Sequence, residues 1–246
     1  MTPCGPDCPV CGGMGFIRRP YTSIHDPNFG KLDPCPEGLK TTWDTLLGIE
    51  EAESQFLDWS RFKRSQAMIL MQSTLTDLIT LGYGWLYLWG EPGLGKTVAV
   101  KTAAIEARYK FNKQARYLTH SGMINFLRSS YDEENGQSAY TRRLDSLVSL
   151  DLLIIDEVGR DRHTDFGISA FSDLLDRRYV SAITQRSITV FVSNFPPAKV
   201  LDAYQLDRVL DTRFKVIQLQ GSSMRLALLE NKKISNQEVP WWQNLQ

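Results

Sequence analysis

The run Trp85-Leu86-Tyr87-Leu88-Trp89 passes directly into Gly90-Glu91-Pro92-Gly93-Leu94-Gly95-Lys96-Thr97, after which residues 98–109 carry a helical pattern. Few folds accommodate that order. The apolar run reads as a buried strand, and the glycines let the backbone curl back into a helix. The loop is a complete G-x-x-x-x-G-K-[ST] phosphate cradle, in the strand-to-helix context that gives the motif its meaning. Its backbone N–H groups can point inward at phosphate oxygens, and the helix that follows adds its positive end. Lys96 can reach the β and γ phosphates, and the Thr97 hydroxyl can bind Mg²⁺. Gly90, Glu91, Pro92, Gly93, Leu94, Gly95, Lys96, Thr97 and Val98 are therefore expected to line a site for a nucleotide with Mg²⁺.

The rest of the chain repeats the alternation of strand and helix. Arg116-Tyr117-Leu118-Thr119 reads as a second strand and 123–131 as a helix; a polar loop covers 132–137, and 140–150 is helical. Leu152-Leu153-Ile154-Ile155 is a near-continuous apolar run, as expected of a strand covered on both faces of a parallel sheet, and it ends in Asp156 and Glu157. A helix over 166–179, a buried strand over 187–193 ending at Asn194, a helix over 206–214, a short strand over 216–219 and a closing helix over 224–232 follow. Strands alternating with crossover helices predict a three-layer α/β fold with a mostly parallel sheet. Upstream, 41–47 reads as a connection and 49–81 as mostly helical, stopped by Gly82-Tyr83-Gly84.

In such a sheet, ligands gather at the carboxyl ends of the strands, which places Asp156 and Glu157 beside the phosphate loop. Asp156 is suited to hold Mg²⁺ through water, and Glu157 to polarise the water that attacks the γ phosphate. The competing reading is that the two acids merely cap a neighbouring helix. Asn194 is placed to hydrogen-bond that water or the γ phosphate. Arg208 and Arg213 either make ion pairs on a solvated face or neutralise charge at a neighbouring subunit's nucleotide. Arg225 is a second candidate for sensing the nucleotide.

All four cysteines lie in the first 35 residues, as Cys4, Cys8, Cys11 and Cys35. Cys8-Pro-Val-Cys11-Gly-Gly and Asp33-Pro34-Cys35-Pro36 are turns able to aim thiolates at one point, and Zn²⁺ takes four such ligands. The segment is rich in Gly and Pro and lacks a periodic apolar face, so a metal would supply folding energy. His25 in place of one cysteine, an iron–sulfur cluster, disulfides and free thiols are the alternatives.

Lys plus Arg and Asp plus Glu number 28 each, so net charge signals no bulk affinity for nucleic acid. Residues 96–116 are locally basic, either as a solvated face or as one that meets DNA. No apolar run is long enough to cross a membrane, and the first residues show no basic leader with an apolar core, so a cytoplasmic protein is expected.

Gly90 to Thr97, Leu152 to Gly159, Ser193-Asn194, Leu206 to Phe214 and Gly221 to Arg225 together resemble the DnaC/IstB group of AAA+ ATPases. That group includes bacterial and phage helicase loaders and the ATP-dependent helpers of one transposon class. The resemblance covers residues 81–232. It implies that Lys96 and Thr97 are Walker A residues, that Asp156 and Glu157 are Walker B, and that Asn194 is the polar sensor. It further implies that Arg213, with Arg208 second, is the finger acting across subunits, and that Arg225 is the second sensor. A separate helical lid is not expected, because little chain follows Arg225. The implied organisation is a cysteine-rich zinc module (1–40), a helical linker (41–81), the AAA+ ATPase domain (82–232) and a tail (233–246) whose Trp241-Trp242 packs on its own domain or meets a partner. The N-terminal cysteines resemble those of loaders more than those of transposition helpers. The leading expectation is an oligomeric ATPase that loads a replicative DNA helicase on single-stranded DNA. The others are a transposase helper on duplex DNA and a nucleotide-binding scaffold with little hydrolysis. A small-molecule kinase would need an acceptor pocket and has little use for Arg213.

Overall fold

The computed structural model describes residues 8–12, 14, 16–18, 32–35, 47–54, 56–62, 65–132, 136–160 and 164–223. Cys4, His25, Arg225, the expected helix over 224–232 and Trp241-Trp242 lie outside them, as does nearly all of the expected connection over 41–47.

The chain divides into two compact units, Met1–Gln55 and Phe56–Gln246. In the first, strands β1 (Phe16–Arg18) and β2 (Leu32–Pro34) pair antiparallel, Ile17 opposite Asp33. A short helix, α1 (Glu51–Ser54), completes its described elements.

The second unit is built on a five-stranded sheet in the order β4-β5-β6-β3-β7, with every neighbouring pair parallel. These strands are β3 (Gly84–Gly90), β4 (Ala115–Thr119), β5 (Leu152–Val158), β6 (Ile188–Ser193) and β7 (Lys215–Leu219). Side chains alternate across the sheet. Trp85, Tyr87, Leu153, Ile155 and Phe191 enter one core with residues of helices α4 (His120–Arg128), α5 (Gly136–Val148) and α6 (Asp165–Ile183). Helix α3 (Lys96–Tyr109) contacts β4, β5 and β6, and helix α2 (Gln66–Leu81) packs on α3. Ala99, Ala103, Ala104 and Ala107 are all buried on α3, and their small side chains let it lie close to the sheet. The result is the expected three-layer α/β fold.

Three boundaries depart from the sequence reading, the first two through polar side chains that capture backbone groups. The stretch 49–81 is mostly helical, as expected, but in separate pieces rather than one run. Asp58 accepts from Ser60 N and opens an isolated 3₁₀ turn at Trp59–Arg61, and Ser65 accepts from Met68 N at 3.1 Å to start α2 afresh. The helix expected over 206–214 is instead α8 (Ala203–Val209), begun early by a capping box between Asp202 and Gln205 and preceded by the short α7 (Pro197–Val200). It stops because Asp211 Oδ1 accepts from Arg213 N at 2.9 Å and holds the chain in a turn. Finally, β5 runs past its two acids to Val158, with a register shift between Ile155 and Val158.

Candidate nucleotide site

The phosphate loop leaves the carboxyl end of β3, the strand flanked by β6 and β7 in the sheet. Gly90, Gly93 and Gly95 all have positive φ, at 154°, 88° and 84°. At Gly90 a Cβ would lie 2.6 Å from the Leu219 carbonyl oxygen, and at Gly93 only 2.1 Å from Ser223 Oγ. The chain leaving β7 thus packs directly on the loop, a constraint that the motif alone does not reveal. Lys96 is buried, and its ammonium donates to the carbonyls of Gly90 (2.7 Å) and Glu91 (2.8 Å), so the lysine is folded into the cradle that it closes.

Thr97 and Asp156 meet. The Thr97 hydroxyl donates to Asp156 Oδ2 at 2.7 Å, joining the start of α3 to β5. Asp156 is 2% exposed, and its Oδ1 accepts from Glu157 N at 2.7 Å. A third donor was not foreseen: Tyr117 OH, on neighbouring β4, reaches Asp156 Oδ2 at 2.9 Å. β4 and β5 pair with Thr119 level with Asp156, so Tyr117 lies one pleat repeat further back on the same face of the sheet. Only the strand order discloses that neighbour.

Glu157 sits in the irregular end of β5 with φ of 60°, a backbone that a non-glycine residue seldom adopts. A bulge re-aims side chains. Here the Glu157 carboxylate is partly exposed and forms an ion pair with the Arg160 guanidinium. Asn194 is exposed and immediately follows β6, the strand between those of the loop and of Asp156. Beside it, Ser193 Oγ donates to the Val158 carbonyl at 2.7 Å and accepts from Phe195 N at 3.0 Å, tying the ends of β5 and β6 together.

Arg208 and Arg213 are not brought to the loop; among the described residues they bond within their own side of the unit. Arg213 donates through Nε and Nη2 to the two Asp211 oxygens at 2.8 and 2.5 Å, and Nη2 also reaches Tyr179 OH at 2.6 Å. Tyr179 OH in turn donates to Asp211 Oδ2 at 2.7 Å, and the Asp211 carboxyl is held well below the usual carboxylate range, by the side-chain bond from Arg213 first and that from Tyr179 next. Arg208 lies over the rings of Tyr179 and Tyr204, at 4.7 and 5.0 Å from their centroids. Arg213 lines an open groove with Leu206, Leu210 and Asp211, a surface position from which a guanidinium can be presented outward.

In the first unit, Cys8, Cys11 and Cys35 place their sulfur atoms within 4.8 Å of one another, with Cys8 Sγ and Cys35 Sγ 3.8 Å apart. Cys11 and Cys35 are buried, and all three are free thiols rather than disulfides. β1 and β2 supply the hairpin that returns Cys35 to the Cys8–Cys11 turn.

Residues 60–232 match the protein family described as IstB-like ATP binding protein. No curated protein sequence matches the chain. Among solved structures, the fold is shared with the DnaC helicase loader, at 14% identity and a TM-score of 0.57, over 68% of this chain and 98% of that one. It is shared with DnaI at 18% identity and a TM-score of 0.56, over 70% and 96%. A replication initiator DnaA bound to AMPPCP and single-stranded DNA matches at 16% identity and a TM-score of 0.56, over 75% of this chain. The chain spans only 57% of that DnaA, and 56% of a DNA replication initiation factor that it also resembles.

Proposed function

We propose that this chain, which belongs to the family of IstB-like ATP-binding proteins, is an ATPase that loads a replicative DNA helicase onto single-stranded DNA, hydrolysing ATP where subunits of an oligomer meet. The observation that carries the ATPase reading is the joining of Thr97 to a buried Asp156, one residue from Glu157, at the mouth of the phosphate loop. Hydroxyl and carboxylate oxygens are the donors that Mg²⁺ takes, so this pair fits the cation that accompanies ATP. Mg²⁺ there would neutralise charge on the β and γ phosphates. Gly90, Glu91, Pro92, Gly93, Leu94, Gly95 and Val98 supply the walls and backbone of the cradle, and Lys96 exchanges its two loop carbonyls for phosphate oxygens. Glu157, once parted from Arg160, orients the attacking water, and Asn194 hydrogen-bonds water or γ phosphate. Arg213, with Arg208 behind it, reaches the nucleotide of the next subunit, and Arg225 acts as a second sensor.

The cysteine module is proposed to hold structural Zn²⁺ through Cys8, Cys11 and Cys35, with Cys4 or His25 as the fourth ligand. Four thiolates at the usual zinc–sulfur distance stand about 3.8 Å from each other, and the separation of Cys8 from Cys35 is 3.8 Å. The likeness to DnaC and DnaI supports helicase loading, and the family match itself supports the second reading, a helper of a transposase on duplex DNA. ATP turnover measured alone, with single-stranded DNA and with duplex DNA separates the two. Stimulation by single strands is expected; stimulation by duplex alone would replace the loader reading with the transposition one. Undetectable turnover under all three conditions would leave an ATP-binding scaffold.

A further inference from the structure

We propose that Tyr117 is a specificity-determining residue for the divalent cation: its hydroxyl closes Oδ2 of Asp156, keeps that carboxylate from ligating through both oxygens, and so favours Mg²⁺ over larger ions. The inference rests on the reading of Thr97 and Asp156 as the Mg²⁺ site. It follows from counting lone pairs on one carboxylate. Each carboxylate oxygen has about two acceptor positions. On Asp156 Oδ2 both are taken, by Thr97 Oγ1 at 2.7 Å and Tyr117 OH at 2.9 Å. Oδ1 has given one to Glu157 N at 2.7 Å. A single position on Oδ1 remains.

The two hydroxyls differ in what a cation does to them. When the Thr97 oxygen turns a lone pair to the metal, its proton still needs an acceptor, and Asp156 Oδ2 supplies it. Tyr117 is 7% exposed, so releasing it from Asp156 would forfeit a buried hydrogen bond. Its ring is fixed as well, with Lys101 Nζ 4.8 Å from the ring centroid on the α3 side. Tyr117 therefore guards Oδ2, and the position left on Oδ1 suits a metal-bound water. Mg²⁺ dehydrates reluctantly and accepts an arrangement of retained waters, whereas Ca²⁺ prefers more direct oxygen ligands in a looser shell. The cluster of Thr97, Tyr117 and Asp156 thus selects by what it withholds.

Tyr117→Phe removes only the hydroxyl. Binding of a fluorescent ATP analogue, titrated with Mg²⁺ and separately with Ca²⁺, gives a half-saturation concentration for each cation. In Tyr117→Phe the preference for Mg²⁺ over Ca²⁺ is expected to fall by roughly tenfold, the lower end of what loss of an outer-shell partner does at metal sites. A melting curve without cation checks that the variant is folded. A ratio equal to that of the unmodified protein, in a folded variant, overturns the proposal. Asp156→Asn is measured alongside. If it leaves both titrations unchanged, the Mg²⁺ site itself has been misassigned; if it abolishes cation dependence while Tyr117→Phe keeps the original ratio, only the role of Tyr117 is wrong.

Discussion

Arg178→Ala is expected to destabilise the second unit severely while leaving its candidate nucleotide site intact. Arg178 is fully buried on α6, and its guanidinium is received almost entirely by backbone. Nη1 donates to the carbonyls of Leu150 (2.6 Å), Val148 (3.1 Å) and Leu147 (3.3 Å), Nε to Thr189 Oγ1 (3.0 Å), and Nη2 to the Ile188 carbonyl. One side chain thus caps the end of α5 and joins it to the starts of β5 and β6. Burial pushes its pKa down to about 9, with the charge of Asp151 opposing that shift, so it is protonated at neutral pH. Its removal is costly because it orphans those acceptors.

Each buried acceptor left unpaired costs about 1–3 kcal/mol, and water entering the space left by alanine relieves some of them. Taking the low figure for three carbonyls and adding a cavity gives about 3–5 kcal/mol, the range seen when one partner of a buried charged contact is deleted. For a unit of this size that corresponds to a fall in Tm of roughly 6–20 °C. Thermal and urea unfolding followed by circular dichroism measure it. Arg178→Lys, with a compact ammonium in place of a fork, should fall between the two. Because these contacts lie at the amino ends of the strands, nucleotide affinity measured well below the transition should be unchanged. A Tm within about 2 °C of the unmodified protein would refute the accounting of orphaned acceptors.

Lys96→Ala should abolish tight nucleotide binding, whereas Glu157→Gln should retain binding and stop turnover; normal turnover in Glu157→Gln would remove Glu157 from the role of base. Arg213→Ala should bind ATP but fail to turn it over in the assembled state, and mixing it with Lys96→Ala protein should restore turnover if the arginine acts across subunits. The Asp211 carboxyl, held down by Arg213 and Tyr179, should remain ionised at about pH 3.5, where an ordinary carboxylate is largely protonated. Its pairing with Arg213 is thus present above the usual carboxylate range and lost only as pH falls through the depressed value, which carboxyl chemical shifts followed from neutral to acid pH would record. Chelation of the proposed Zn²⁺ should release one equivalent of metal and loosen the first unit, and Cys8→Ser should lower the metal content; full zinc retention by Cys8→Ser would dismiss the cysteine site.

The division between what the sequence disclosed and what it withheld follows the range of the forces involved. The three central strands were legible because burial on both faces demands unbroken apolar runs, as in 85–89 and 152–155, and the phosphate loop because its glycines are required by local backbone geometry. The nearness of Asp156 to the phosphate loop followed from the rule that ligands gather toward the carboxyl ends of the strands, since Thr97 opens the helix after β3 and Asp156 lies near the end of β5. Helix ends were misjudged where one polar side chain decided the matter: Asp211 and Arg213 read as part of a helix face, yet Asp211 captured a backbone N–H and ended it early. Tyr117 and Arg178 were illegible for a different reason. In sequence, Tyr117 is one more aromatic in a strand and Arg178 one more cation on a helix. Each acquires its partners only when the order β4-β5-β6-β3-β7 sets β4 beside β5 and α6 over the starts of β5 and β6. The two residues also lie at opposite ends of the same sheet, Tyr117 toward the nucleotide and Arg178 away from it. Substituting Tyr117 should therefore alter cation choice with little effect on Tm, and substituting Arg178 the reverse. That double dissociation would show that the fold keeps the chemistry and its mechanical anchor physically apart.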